Sequence, residues 1–383
     1  MCVHVSKLRV HGRSRSFALS PVATHRLAWR RTRVRGAVLI ATLVAAVSPL
    51  TGEASEQGFP GLSKRLTTQS RLLVEYTDEF KRDAAAYDAM AGGAGYDYAK
   101  LWRSKPQAVR TVVSRMKQNW LAHNADYERM EGIVAGVPSL VGFDVNIDAG
   151  TSFAEDPKSA VTFSLKTKGG QTFRQPGAFY NITEAALWGE DSAFVAKGVT
   201  PDLDGDGRIG EFGESLPDAQ FLLSDATSWD QEARRLLNAA QSYKPNTKDA
   251  LTALVVMVPT MNEYFGDWKN SRFVVGAKAT STSFNAASRL NDIHDILSSL
   301  RVVYADVKPA IERKDTAQAA QTQRELDSLA TFVERIYRRE QAGHRFKPQE
   351  ADLLGAEAQD RAIKIAGQVS QAAARLGISV SQG

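Results

Sequence analysis

The chain is poor in the residues that build thiol and histidine chemistry. It has one cysteine, Cys2, and six histidines among 383 residues. One cysteine excludes a disulfide framework, and Cys2 lies far from any cleavage site at which a lipid-bearing cysteine would be needed. Beyond residue 54 the histidines are His123, His294 and His344, and none is spaced as a His-Glu-x-x-His zinc pair. With no Gly-x-Ser-x-Gly elbow either, hydrolysis is the least favoured class of function.

The N-terminal region is strongly basic and is followed by an apolar stretch. The first 35 residues hold nine Lys and Arg and no acid. The apolar run over residues 36–47 is too short to cross a bilayer of about 30 Å as a helix. We therefore expect residues 1–54 to be a signal peptide that is cleaved near Ala54. The basic stretch is long for a signal, which leaves two alternatives: translation begins downstream of Met1, or Arg30-Arg31 belongs to a twin-arginine signal.

Removal of this segment also removes the basic character of the chain. Of 48 Lys and Arg and 43 Asp and Glu, 39 and 42 lie beyond residue 54, so that part has a net charge near −3. It shows no basic patch or stripe, which argues against nucleic acid as a partner. We expect a periplasmic or secreted protein that does not span the membrane after cleavage.

The remaining 329 residues are enough for two ordinary domains. Apolar residues recur at spacings of three and four, which predicts helices over residues 66–90, 109–130, 290–311, 326–336 and about 349–376. Long helices with short breaks are typical of antiparallel bundles. We therefore predict an all-α fold of two helical bundles, over residues 60–235 and 236–383.

The middle of the chain has a different pattern. Residues 161–165 alternate apolar and polar, Lys168-Gly169-Gly170 is a turn signal, and residues 171–174 return as a second short strand. This predicts a small inserted β-hairpin. Turn-forming residues are concentrated over residues 138–215, and irregular segments of a helical scaffold are where binding residues tend to lie.

The strongest local motif is an acidic loop, Asp202-Leu203-Asp204-Gly205-Asp206-Gly207-Arg208-Ile209. It matches the first eight positions of an EF-hand calcium loop. Asp202, Asp204 and Asp206 provide oxygens at positions one, three and five, and the carbonyl of Arg208 provides the seventh-position ligand. The sequence therefore predicts an EF-hand-like site for structural calcium.

The loop departs from the EF-hand pattern at its end. Position twelve is Gly213, so the bidentate glutamate has to be Glu211 or Glu214 in a shortened or lengthened loop. The alternative interpretation is a solvated acidic turn that binds no ion.

A second motif places Asn181 and Glu184 one helical turn apart. The surrounding segment resembles the hallmark of the imelysin family, a Gly-x-His-x-x-Glu stretch that runs into Leu-Trp-Gly. Glu184 and Leu187-Trp188-Gly189 match this pattern, whereas Asn181 stands where the family has histidine. Ser271-Arg272-Phe273, after an expected helix over residues 249–269, resembles a Ser-x-Phe segment of the same family. The resemblance covers most of residues 60–380.

This family includes imelysin-like peptidase homologues and the periplasmic component of the Efe iron-uptake system. The resemblance implies two helical bundles with Glu184 facing the groove between them, where a metal or small ligand binds. Glu128 and Glu131 are carboxylates able to line the same groove, and Arg272 is able to anchor an anionic ligand there. Iron or another divalent metal is the implied cargo, with an inner-membrane permease as a possible partner. The amide oxygen of Asn181 suits calcium or magnesium better than a transition metal.

Two other functions compete with metal uptake. In the first alternative the protein is a non-catalytic exported module whose groove binds a partner protein or polysaccharide. In the second it is a peptidase. Asn181 and Glu184 also have a plain interpretation, as a helix cap and a surface carboxylate. We lean against an enzyme.

The two motifs predict separable metal binding. Asp204→Ala removes an oxygen from the loop and should abolish calcium binding, which for extracellular sites has a Kd on the order of 10⁻⁴ to 10⁻³ M. If Glu184 is a metal ligand, as the resemblance implies, Glu184→Ala should abolish iron binding without affecting calcium. Calorimetric titration of both variants with calcium, ferrous and ferric iron checks this, and binding of calcium alone would favour the interaction module.

Overall fold

The computed structural model describes residues 58–281 and 283–380. The predicted signal peptide and Cys2 lie outside these residues. The described chain is mainly helical, which confirms the predicted all-α class. None of the described helices is both long and apolar enough to cross a membrane.

Helices follow one another along the chain with short breaks. The long ones are α1 (Pro60–Gly93), α3 (Pro106–Val134), α6 (Ala219–Ser242), α10 (Arg289–Glu312), α11 (Thr316–Gln341) and α12 (Pro348–Arg375). The shorter ones are α2 (Tyr98–Ser104), α4 (Val141–Asp144), α5 (Phe179–Trp188), α7 (Thr247–Met257), α8 (Met261–Asn270) and α9 (Arg272–Val275). A π-helical turn, Val145–Ala149, continues α4, and 3-10 turns cover Val258–Thr260 and Gly276–Lys278.

The five helices predicted from periodicity correspond to α1, α3, α10, α11 and α12. Their apolar stripes are buried, as Leu66, Leu73 and Phe80 on α1 show with no exposed surface. Proline at the first turn of α1, α3 and α12 starts each helix where a missing backbone N–H costs nothing.

Two parts of the helical pattern differ from the prediction. The helix expected over residues 249–269 is broken into α7 and α8, because Pro259 cannot donate the backbone bond that a continuous helix needs. Helix α6 was not predicted, and position 235, the expected end of the first bundle, falls inside it. The division into two bundles stays a prediction.

The inserted hairpin is confirmed. Strand β1 (Ser164–Lys166) pairs antiparallel with β2 (Thr172–Arg174), and Leu165 lies opposite Phe173. Leu165 points into the core, whereas its neighbours on β1 are exposed, as the period of two requires. The hairpin packs on α6.

Helix α3 is central to the packing, because it contacts α1, α7 and α10. Two glycines near the end of α3 let it pack closely against α10 and α7. A Cβ on Gly132 would lie 2.4 Å from Ser299 Oγ on α10, and one on Gly136 would lie 2.6 Å from the Cα of Ala253 on α7. These contacts bring the end of α3 and the start of α10 together, which is where the candidate site lies.

The close approach at Gly136 is testable. Gly136→Ala should lower the free energy of unfolding by about 1–3 kcal/mol, because the added methyl meets backbone atoms that cannot move aside. Gly266→Ala in α8 is the matched control. Its Cβ meets no atom within 4 Å, and alanine in a helix is favoured by about 0.5–1 kcal/mol. Denaturant unfolding measures both changes, and equal stability of the two variants would contradict the packing described.

Candidate metal centre

Three buried carboxyl groups converge at the end of α3. Glu128 and Glu131 stand one helical turn apart on α3, and Asp148 lies on the π-helical turn that follows α4. One oxygen from each of the three lies within 4.8 Å of the others. Their exposed fractions are 0%, 2% and 3%, so the group is shielded from solvent. Together they offer an all-oxygen set of donors.

The π-helical turn is fixed by side chains on both sides. Asn146 Nδ2 donates to Glu232 Oε1 at 3.0 Å, and its Oδ1 accepts from the backbone N–H of Thr162 at 2.9 Å. Asn181 Nδ2 donates to the carbonyl oxygen of Asp148 at 3.0 Å. Asn181 therefore holds the backbone of the residue whose carboxyl group joins the cluster. It contacts the cluster through that backbone.

Helix α10 adds an arginine and a fourth carboxyl group. Arg289 Nη1 lies 3.3 Å from Asp292 Oδ2 and 4.0 Å from Glu128 Oε2, and Nη2 lies 3.9 Å from Asp148 Oδ2. Asn124 Nδ2 donates to Asp292 Oδ1 at 2.7 Å. The polar interruption that the sequence shows on α3 is thus explained, because Asn124 faces the buried Asp292.

Aromatic groups enclose the cluster. Tyr264 Oη donates to Glu131 Oε1 at 3.0 Å, and Tyr127 Oη donates to Asp144 Oδ1 at 2.7 Å. The guanidinium carbon of Arg289 lies 4.3 Å from the centre of the Tyr264 ring. Asp144 is a fifth buried carboxyl group beside the three that converge.

Some oxygens of these carboxyl groups receive no hydrogen bond from a described residue. Among the described residues, no donor reaches either oxygen of Glu128 or the second oxygen of Glu131. Buried carboxylates without a donor are costly, since water is excluded. Glu128, Glu131, Asp144, Asp148 and Asp292 face the one charge of Arg289. Such a group requires either protons or a further cation.

Burial and mutual repulsion raise the pKa values of Glu128, Asp148 and Asp292. Burial, and then the charge of Asp292, raises the pKa of Glu128 well above its ordinary value. Burial and Glu131 raise the pKa of Asp148 to about 7, against the opposing effect of Arg289. Burial raises the pKa of Asp292 to about 6, and Arg289 opposes this. A metal ion would replace the protons and reverse these shifts.

The structure places Glu184 outside this cluster. It is buried on α5, and its carboxylate accepts backbone N–H groups from Phe284, Asn285 and Ala286 at 2.7–2.9 Å. Burial and then the charge of Glu190 raise its pKa to about 8. Glu184 is therefore a buried anchor of the chain, whereas the plain interpretation of the sequence was a surface carboxylate.

Arg272 lies with Glu184 rather than with the carboxyl cluster. Its guanidinium carbon is 4.1 Å from the centre of the Phe212 ring, and its backbone N–H donates to Asn285 Oδ1 at 2.9 Å. Of the predicted groove residues, the converging cluster contains Glu128 and Glu131.

The predicted calcium loop is a separate exposed cluster. Oxygens of Asp202, Asp204 and Asp206 lie within 4.8 Å of one another. Asp202 accepts from the backbone N–H groups of Gly205 and Gly207 at 2.7 and 3.2 Å. The loop thus has a defined turn with three carboxylates on it.

The converging group of three carboxylates does not include the other predicted calcium ligands. Arg208 forms ion pairs with Asp206 and Glu211, so the guanidinium occupies the side of the loop where Glu211 lies. Glu214 is buried and accepts the backbone N–H of Leu203. Calcium binding stays a prediction.

Each described histidine pairs with a carboxylate outside the cluster. His123 Nδ1 lies 2.7 Å from Asp126 Oδ2. His294 bridges Asp295 and Glu334, at 3.1 and 2.9 Å. His344 Nε2 lies 3.6 Å from a carboxylate oxygen of Glu350. Within the described part of the chain, the cluster therefore offers only carboxylate oxygens, and no histidine nitrogen, to a metal ion.

Fold and site together define a mainly helical protein with a buried cluster of carboxyl groups. The chain belongs to the imelysin family, whose sequence model matches residues 64–369. A comparison with curated proteins finds no match.

Sequence reasoning missed four members of the cluster, namely Asp144, Asp148, Arg289 and Asp292. A signal existed for two of them, since Arg289 and Asp292 lie three residues apart on the apolar face of α10, where charges are unexpected. The sequence pattern does not reveal Asp148, because its position in the cluster depends on the π-helical turn.

The raised pKa values predict that the metal-free protein loses stability as pH rises. Asp148 and Asp292 hold protons in the folded state at pH values where the unfolded chain, with pKa near 3.9, has released them. Their contribution is complete below about pH 4 and is lost as pH rises to about 7, by about 1.4 kcal/mol per unit for each such proton.

Chemical unfolding between pH 4 and 8 in the presence of a chelator measures this slope. Asp148→Asn should flatten it, whereas Asp191→Asn, a change on an exposed loop, should leave it as in the wild type. A stability that rises from pH 4 to 7 in the metal-free protein would contradict the charge balance described.

Proposed function

We propose that this member of the imelysin family is an exported metal-binding protein that holds a cation between Glu128, Glu131 and Asp148. The supporting observation is that Glu128 is completely buried and that neither of its oxygens receives a hydrogen bond from a described residue. A cation would satisfy these oxygens and offset the excess of buried negative charge.

The donor set indicates the type of ion. Carboxylate oxygens suit hard cations such as magnesium, calcium, manganese and iron, whereas a site for zinc or copper usually includes histidine or cysteine. Iron is our first choice because the family resemblance points to iron uptake. The asparagine at position 181 does not weaken this proposal, since Asn181 binds a backbone carbonyl and not the cluster.

The proposed role is capture of the ion outside the inner membrane and delivery to a permease. The ion is then cargo, and the protein needs a site that both protects it and releases it. A single buried arginine among the carboxyl groups suits this role. Arg289 offsets part of the negative charge without close contacts to Asp148 and Glu128, since its nitrogens lie 3.9 and 4.0 Å from them.

We assign the loop at residues 202–214 a separate structural role. Calcium there would stiffen an exposed turn that α3 already contacts, since Arg110 Nη2 donates to the carbonyl oxygen of Asp202 at 2.7 Å. This site is independent of the buried cluster.

The central test is metal binding by the purified full chain. Glu128→Gln and Glu131→Gln should each weaken Mn²⁺ and Fe²⁺ binding by more than about 100-fold, because even residues that only orient a ligand contribute roughly 10- to 100-fold. Isothermal titration calorimetry after chelator treatment gives the affinities. Asp204→Asn should leave them unchanged and remove any calcium binding at the exposed loop.

Glu155→Gln is the matched control, because it makes the same change at an exposed position. Wild-type protein that binds neither Mn²⁺ nor Fe²⁺ would refute the proposal. Casein hydrolysis that requires Glu128 would instead support the peptidase, and full affinity in both glutamine variants would place the ion elsewhere.

A further inference from the structure

Residues 283–288 form a strap over the acidic cluster, between α9 and α10. The Phe284 ring centre lies 4.0 Å from the guanidinium carbon of Arg289, which also lies 4.3 Å from the centre of the Tyr264 ring. Phe284 is partly exposed, whereas Arg289 beneath it has 4% exposure. The strap is therefore the layer that separates solvent from Arg289 and, through it, from Glu128 and Asp148.

Glu184 holds this strap by its backbone. Its Oε2 accepts from the N–H of Phe284 at 2.9 Å, and its Oε1 accepts from Asn285 and Ala286 at 2.8 and 2.7 Å. Three bonds from consecutive N–H groups use both oxygens of the carboxylate. These three bonds lower the pKa of Glu184, against the effects of burial and Glu190, and bonds to an ionised carboxylate are stronger than neutral ones.

A second carboxylate holds the strap from the side. Asn285 Nδ2 donates to Glu190 Oε1 at 2.5 Å and to the carbonyl oxygen of Ser281 at 3.0 Å. The strap thus has specific anchors at its centre and carries no apolar side chain that is fully buried.

The closed strap is also strained. Phe284 has a φ of 60°, in the left-handed region that residues other than glycine rarely adopt. A bulky residue keeps such a conformation only where its surroundings impose it. Here the Glu184 hydrogen bonds and the stacking on Arg289 do so, and loss of either should favour opening.

We propose that Glu184 is a positioning residue that holds the strap closed, and that opening of the strap is the step by which metal enters and leaves the buried site. This inference rests on the proposed metal binding at Glu128, Glu131 and Asp148. It assigns to the matching glutamate of the family motif a role in exchange rather than in coordination.

The test separates exchange rates from affinity. Glu184→Gln keeps the shape of the side chain but turns an amide NH₂ toward backbone donors, which breaks part of the anchor. Both the association and the release rate of Mn²⁺ should rise by about tenfold or more, while the dissociation constant changes far less. Stopped-flow capture of released Mn²⁺ by a chelator gives the rate, and calorimetry gives the affinity.

Phe284→Ala is the second variant, since it removes the ring over Arg289 and leaves Glu184 in place. It should raise the same rates, and Glu155→Gln should not. Circular dichroism shows whether each variant is folded. A weaker affinity with unchanged association in Glu184→Gln would overturn the proposal, because that is the result expected for a lost ligand. Unchanged rates in both variants would overturn it equally.

A measurement without metal keeps this inference separate from the proposed function. Phenylglyoxal modifies accessible arginines, and peptide mass spectrometry reports the rate at Arg289. In chelator-treated protein, modification of Arg289 should be faster in Glu184→Gln and Phe284→Ala than in the wild type. If the wild type binds no Mn²⁺, the proposed function fails and the strap's role in metal exchange fails with it. If Mn²⁺ binds but labelling of Arg289 is unchanged in both variants, the strap alone is refuted.

Discussion

The burial of five carboxyl groups around one guanidinium is the constraint on which the rest of the site depends. Ionised carboxylates in a water-free interior repel each other and lack solvation, so the folded chain must supply charge, hydrogen bonds or protons. Arg289, Asn124 and Tyr264 supply part of this. Glu128 lacks hydrogen-bond compensation, because no described residue donates a hydrogen bond to its oxygens. The cation that we propose at this site would offset the excess of buried negative charge.

The packing of α3 against α10 creates this arrangement. Gly132 lets the two helices approach until Ser299 lies where a side chain would otherwise stand. Glu128 and Glu131 then face Arg289 and Asp292 across the interface, and the π-helical turn brings Asp148 to the same place. The strap anchored by Glu184 completes the enclosure from the solvent side. The converging carboxyl groups, Arg289 and the strap therefore come from different elements of the fold.

Periodicity predicted the long helices well, because α1, α3 and α10 bury continuous apolar stripes that a regular helix aligns. It did not predict the break at Pro259 or the existence of α6. The motif around Asn181 and Glu184 identified the family but not the roles of these side chains. Asn181 binds the carbonyl of Asp148 and Glu184 binds three backbone N–H groups, and both partners are distant in sequence. Only the fold supplies those partners.

The sequence by itself determined the helical class, the inserted hairpin and the family, since each depends on local spacing or on a contiguous motif. It also named Glu128 and Glu131 as carboxylates able to line a binding groove. Tertiary structure decided that these carboxyls are buried, that Arg289 opposes them, and that Glu184 serves the strap rather than the cluster. Burial and partner identity depend on residues that are far apart in the chain, and no local pattern encodes them.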